Sequence, residues 1–155
     1  NPEAHELTTG PEIVEDLGTA PDVFIAGIGT GGTITGVGRF LRARGASTVV
    51  IGIEPESSPL LTKGVAGAHK IQGIGANFIP DVLDRSVIDE VVTVSDESAL
   101  KFMEILGKEE GIFTGISSGA AISATVDVCK QKNLTGKKIV AVLPDTGERY
   151  VSLLD

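Results

Sequence analysis

The run Gly29-Thr30-Gly31-Gly32-Thr33 has the composition of a phosphate-holding turn. It follows the apolar stretch Val23-Phe24-Ile25-Ala26-Gly27-Ile28 and opens a segment with helical patterning. In a strand–turn–helix of this kind, glycines let the backbone turn sharply and approach a ligand closely. The first helical turn then presents unpaired N–H groups and a partial positive charge to an anion. No lysine lies in the turn, so its amides and the hydroxyls of Thr30 and Thr33 are the expected ligands. A Walker A loop needs Gly-Lys-Ser/Thr at its end, which is missing here, and Gly27-Ile28-Gly29 approaches a dinucleotide fingerprint without completing it.

Other residues with chemical capacity are few. Ser117 precedes an alanine-rich helical segment from about Ala120 and reads as its N-cap. The segment Gln72-Gly73-Ile74-Gly75 reads either as a plain glycine-rich connection or as a loop that lets backbone approach a ligand. His69 has the right chemistry for acid–base work but reads as structural, and His5 reads as solvated. Cys129 lies within a helix and reads as a small buried hydrophobe. No residue of the chain is assigned as catalytic or as a metal ligand.

The elements that must position these residues alternate. Thr8-Thr9-Gly10-Pro11-Glu12 reads as the start of a helix that Gly18 ends. Strands are expected at 23–28, 49–53, 90–94 and 138–143, and helices at about 32–44, from Ser95 to Gly111, and at about 120–132. Gly36 and Gly38 fall inside a helix, at a cost of roughly 1 kcal/mol each, and close packing on the sheet or on a cofactor is the expected compensation. The stretch 56–89 is irregular, and loops of that length are usually functional. Apolar β-branched strands alternating with helices predict a three-layer α/β/α fold with a mostly parallel, Rossmann-like sheet.

Composition narrows the function classes. The chain has 155 residues, 41% hydrophobic and 22% charged, which suits one globular domain with a real core. Its net charge is −8, and Arg39, Arg42 and Arg44 read as charge complementing a helix C-terminus. A nucleic-acid partner is not expected without a basic face. No apolar run has the length of a membrane span, and the single cysteine fits a reducing cytosol.

Five motifs occur in order: Thr8-Thr9-Gly10-Pro11-Glu12-Ile13, Gly27 to Thr33, His69-Lys70-Ile71-Gln72-Gly73-Ile74-Gly75, Gly115-Ile116-Ser117-Ser118-Gly119-Ala120, and Gly147-Glu148-Arg149-Tyr150. Together they resemble cysteine synthase (O-acetylserine sulfhydrylase), of the tryptophan-synthase-β-like, fold type II class of pyridoxal-phosphate enzymes. The resemblance covers the C-terminal half of such an enzyme. It implies a single cofactor-binding domain over 1–155, a fragment without the N-terminal half. The family's Schiff-base lysine and substrate-carboxylate loop lie in that other half, so the isolated chain is expected to be inactive.

The resemblance further implies pyridoxal 5'-phosphate as cofactor, with Gly29, Thr30, Gly31, Gly32 and Thr33 around the phosphate and Ser117 at the pyridine nitrogen. Gln72, Gly73, Ile74 and Gly75 would lie beside the substrate. The implied reaction is β-replacement of O-acetylserine by sulfide, giving L-cysteine and acetate: a cytoplasmic transferase of amino-acid biosynthesis. Implied partners are a second copy in a homodimer and the C-terminal tail of serine acetyltransferase. A non-catalytic phosphate- or pyridoxal-phosphate-binding domain and another fold type II enzyme such as cystathionine β-synthase are the alternatives.

Overall fold

A computed structural model of the chain describes residues 1–148. A helical segment opens it: α1 (Pro2–Ala4), a π turn (His5–Thr9) and α2 (Gly10–Leu17) run on without a break. The helix therefore starts well before the Thr8–Glu12 stretch expected to open it. Pro11 lacks the N–H that a continuous α-helix would use. The π turn just before it, closed by the Gly10 N–H on the His5 carbonyl, absorbs the irregularity.

Next come β1 (Val23–Gly27), α3 (Gly32–Ala43), β2 (Val49–Pro55) and the single-turn α4 (Leu60–Lys63). A 3₁₀ turn (Arg85–Val87) precedes β3 (Glu90–Val94), α5 (Asp96–Glu109), α6 (Ile116–Lys132) and β4 (Ile139–Ala141). The strand order is β3-β2-β1-β4 and every pairing is parallel. Val23 sits opposite both Val49 and Ile139, so β1 is the central ladder.

Strand alternation separates two cores. Val23, Ile25, Ile51 and Ile53 face Ala99 and Met103 of α5 and Ile116, Ala120, Ala124 and Val128 of α6. Phe24, Ala26 and Val50 face Ile34, Val37 and Leu41 of α3, with Ile13 and Val14 of α2 beside them. Helices thus cover both faces, as the buried, continuously apolar strands require. Val128, not Cys129, takes the core position near the end of α6; Cys129 is only half-buried.

The irregular stretch after β2 is pinned by carboxylates. Buried Glu54 accepts the amides of Leu61 and Thr62 and the Thr62 hydroxyl, which caps α4. Asp84 binds Arg39, and Asp89 binds Arg42 and the Val50 amide. Arg42 also donates to the carbonyls of Thr48 and Val87, and Arg44 lies over the Phe40 ring. Two of the three arginines therefore tie α3 to the 84–89 segment rather than merely complementing a helix dipole. The Ser86 hydroxyl and amide, with Arg39, hold the Asp84 carboxyl below its usual range.

Gly36 and Gly38, inside α3, make room for the N-terminal helix and for Val87 rather than for the sheet. A methyl on Gly36 would lie 2.2 Å from the Pro2 carbonyl and 2.7 Å from His5 Cβ. A methyl on Gly38 would meet Val87 at 2.7 Å. The N-terminal helix lies against Gly36 because no side chain is there. Gly36→Ala should consequently destabilise the fold by about 1–3 kcal/mol through overpacking, outweighing the ~1 kcal/mol that helix propensity favours. A denaturant midpoint raised by that substitution would contradict this packing.

Candidate functional site

The site lies where strand order reverses. From β1 the chain moves through α3 to β2 on one side, while β4 lies on the other. Crevices outside the carboxyl ends of parallel strands at such a reversal are the usual ligand positions of open α/β sheets. Three elements converge there: the turn after β1, the loop at 72–75 and the start of α6.

Ile28 continues the β1 ladder by donating to the Ile53 carbonyl, and its own carbonyl accepts the Gly75 amide at 3.0 Å. That bond seats the 72–75 loop on the glycine turn. Gly29 meets it directly: a methyl on Gly29 would lie 2.2 Å from the Gly73 carbonyl oxygen. No residue with a Cβ permits that approach. Gly31 is the N-cap of α3 at φ +83°, a left-handed conformation that favours glycine.

Gly73 in turn faces Ser117; a methyl there would be 3.8 Å from Ser117 Oγ. The structure therefore brings Gly29, Gly73 and Ser117 close together. Gln72 and Gly73 are exposed, whereas the Ile74 side chain turns down into the core beneath Gly27. Ile74 anchors the loop and offers its side chain to the interior rather than to a ligand. Gly75 packs on Pro55 and His69.

His69 Nε2–H donates to the Gly75 carbonyl at 2.9 Å, since that carbonyl can only accept. Nδ1 is then the bare nitrogen, buried without a partner among the described residues. Asp96, in the first turn of α5, accepts the Lys70 amide at 2.9 Å and fixes the loop's approach. Both residues hold the 72–75 loop in place.

Two long helices point their N-termini at this rim, and they differ in how their amides are used. At α6 the N-cap is Gly115, not Ser117. The Asp145 carboxylate, arriving just after β4, accepts the amides of Ser117 at 3.1 Å and Ser118 at 2.9 Å, and the Ser118 hydroxyl. A negative charge already occupies that helix terminus, where it is favoured. Ser117 Oγ is left without a hydrogen bond to the described residues. At α3 no side chain caps the terminus. Only a long bond of 3.4 Å, from the Gly32 amide to Thr30 Oγ1, lies within the turn. The open donors for an incoming anion are thus those of α3.

Sequence reasoning missed His5 and Asp145. His5 is half-buried rather than solvated, with Nδ1 2.9 Å from Thr9 Oγ1 and Nε2 3.3 Å from Thr33 Oγ1. The His-x-x-x-Thr spacing on one helical face was the available signal. Asp145 follows a strand whose end faces a helix start, a position that only topology reveals. Arg149 and Tyr150 of the fifth motif lie outside the described residues. Open clefts of about 340 Å³ flank the edge of β3, away from the glycine turn. Among the described residues no cluster of three or more His, Cys, Asp or Glu is placed to hold a metal, and no helix is long and apolar enough to cross a membrane.

A family profile described as pyridoxal-phosphate dependent enzyme matches residues 1–145. Cysteine synthase of Staphylococcus aureus is 48% identical over 153 residues, covering 98% of this chain and 49% of that protein. The chain thus spans about half the length of the curated relatives it matches. Among solved structures, a hydrogen sulfide-producing enzyme from Fusobacterium nucleatum is 43% identical with a TM-score of 0.93, over 97% of this chain and 51% of the other. Cysteine synthase from Entamoeba histolytica is 38% identical with a TM-score of 0.93, over 97% and 44% respectively.

If Asp145 is what orders the start of α6, Asp145→Ala should cost about 1.5–3 kcal/mol, as for lost charge-assisted hydrogen bonds. Hydrogen exchange at the Ser117 and Ser118 amides should accelerate together. Exchange at both amides unchanged by the substitution would refute the clamp.

Proposed function

Since the chain belongs to the pyridoxal-phosphate-dependent enzyme family, we propose that it forms the cofactor-binding floor of a cysteine synthase. The observation that carries this reading is the uncapped α3 terminus behind a glycine turn too crowded for any side chain at Gly29. The residues fit the group. A phosphate needs several donors converging on one anion, and the amides of Gly31, Gly32 and Thr33 with the Thr30 and Thr33 hydroxyls offer them. Gly73 and the unpartnered Ser117 Oγ, close to each other, would flank the ring of a cofactor held by that phosphate.

Bound pyridoxal phosphate supplies an electron sink that makes a substrate's Cα–H and Cβ leaving group labile. The protein's own residues do the rest. The α3 terminus binds and orients the phosphate by fixed dipoles, which an acidic chain of net charge −8 needs, because its overall field opposes an anion. Ser117 accepts or donates a hydrogen bond at the ring nitrogen without imposing a positive charge there, as a carboxylate would. That moderates the sink and suits departure of a good leaving group such as acetate. Gln72, Gly73 and Gly75 form the wall against which the substrate lies, and Ile74 anchors that wall from below.

By resemblance, O-acetylserine and sulfide are the substrates, and a cytoplasmic homodimer that receives the C-terminal tail of serine acetyltransferase is the assembly. The lysine that holds the cofactor covalently in this family has no counterpart in a motif of these residues.

Titration of the chain with pyridoxal phosphate and with pyridoxal, followed by fluorescence, tests the reading. Pyridoxal phosphate should bind at least about 100-fold more tightly, a ~2.7 kcal/mol contribution from the phosphate. The same preparation should produce no cysteine from O-acetylserine and sulfide. Equal affinity for the two compounds would remove the phosphate site, and sustained turnover would contradict the account of the lysine.

A further inference from the structure

His5 connects the opening helix to the glycine turn. Its ring nitrogens meet two hydroxyls, Thr9 Oγ1 at 2.9 Å and Thr33 Oγ1 at 3.3 Å. Its seat is built for it: Gly36, three residues beyond Thr33 in α3, leaves the space that His5 Cβ occupies. We propose that His5 is a positioning residue that aims the Thr33 hydroxyl proton at the bound anion, an inference that rests on the phosphate site assigned to this turn.

A neutral imidazole has one N–H and one bare nitrogen, and each threonine hydroxyl has a single hydrogen to donate. The row Thr9–His5–Thr33 therefore runs in one of two directions. In the first, Thr9 donates to Nδ1 and Nε2–H donates to Thr33 Oγ1, so the Thr33 hydrogen is left for the anion. In the second, Nδ1–H donates to Thr9 and Thr33 spends its hydrogen on Nε2. A fully ionised phosphate only accepts hydrogen bonds, so its binding selects the first direction. The neighbouring Thr8 does not compete, because its hydroxyl donates to the Ala4 carbonyl at 2.7 Å. The tautomer of His5 thus reports whether the turn is set for a phosphate.

Thr9 offers the cleanest perturbation, since it touches His5 and not the turn. Thr9→Val keeps its shape and removes the donor to Nδ1. Affinity for pyridoxal phosphate should fall about tenfold, the worth of one hydrogen bond to a charged group. Affinity for pyridoxal should not change, and Thr9→Ser should restore the wild-type value. Independently, ¹⁵N-histidine spectra of the wild-type chain with pyridoxal phosphate, and with inorganic phosphate, should show Nε2 protonated and Nδ1 bare. A His5 that carries its proton on Nδ1 in the bound state overturns the proposal without any variant. So does a folded Thr9→Val chain that binds pyridoxal phosphate as the wild type does. A wild-type chain that binds no pyridoxal phosphate defeats the cofactor reading itself, and this inference with it.

Discussion

The Gly73 carbonyl oxygen occupies the space where a side chain on Gly29 would have to be. The rest of the site depends on that contact. It lets the 72–75 loop sit directly on the turn after β1, with the Ile28 carbonyl and the Gly75 amide closing the join. Ile74 can then drop into the core beneath Gly27, and Gly73 can reach Ser117. A Cβ at position 29 would push the loop outward and separate three elements that the fold otherwise holds together.

A second constraint concerns charge. The chain carries a net charge of −8, so an anion bound here would have to be attracted by local dipoles alone. Two helix N-termini face the site, and Asp145 neutralises one of them. The terminus of α3 is therefore the one still able to take a phosphate, and the Asp145 clamp has a different task. It orders the first turn of α6, so that Ser117 presents its hydroxyl with no competing bond. On the proposed function the two termini divide the work: one binds, the other positions.

Much of the architecture was legible in the residue pattern. The apolar runs expected as strands at 23–28 and 90–94 became strands with those bounds or within a residue of them, because continuously apolar strands are what a doubly covered sheet demands. The cap at Ser95 and the stop at Gly111 follow from local hydrogen bonding and a left-handed φ, both of which sequence encodes directly. The glycine turn was legible for the same reason. What escaped was set by long-range packing. Pro11 looked like a helix opener because nothing nearby reveals a π turn. Gly36 looked like a cost to α3 until the N-terminal helix came to lie on it. His5 read as solvated, and Asp145 drew no reading, because Thr33 and Ser118 are separated from them by 28 and 27 residues.

The most direct measurement of the central claim is a ¹H–¹⁵N amide titration of the chain with inorganic phosphate. If the glycine turn and the α3 terminus are the anion site, the Gly31, Gly32 and Thr33 amides move most and saturate together. The Ser117 and Ser118 amides, already held by Asp145, move little. Changes confined to residues outside 29–34, or largest at Ser117 and Ser118, would contradict the account.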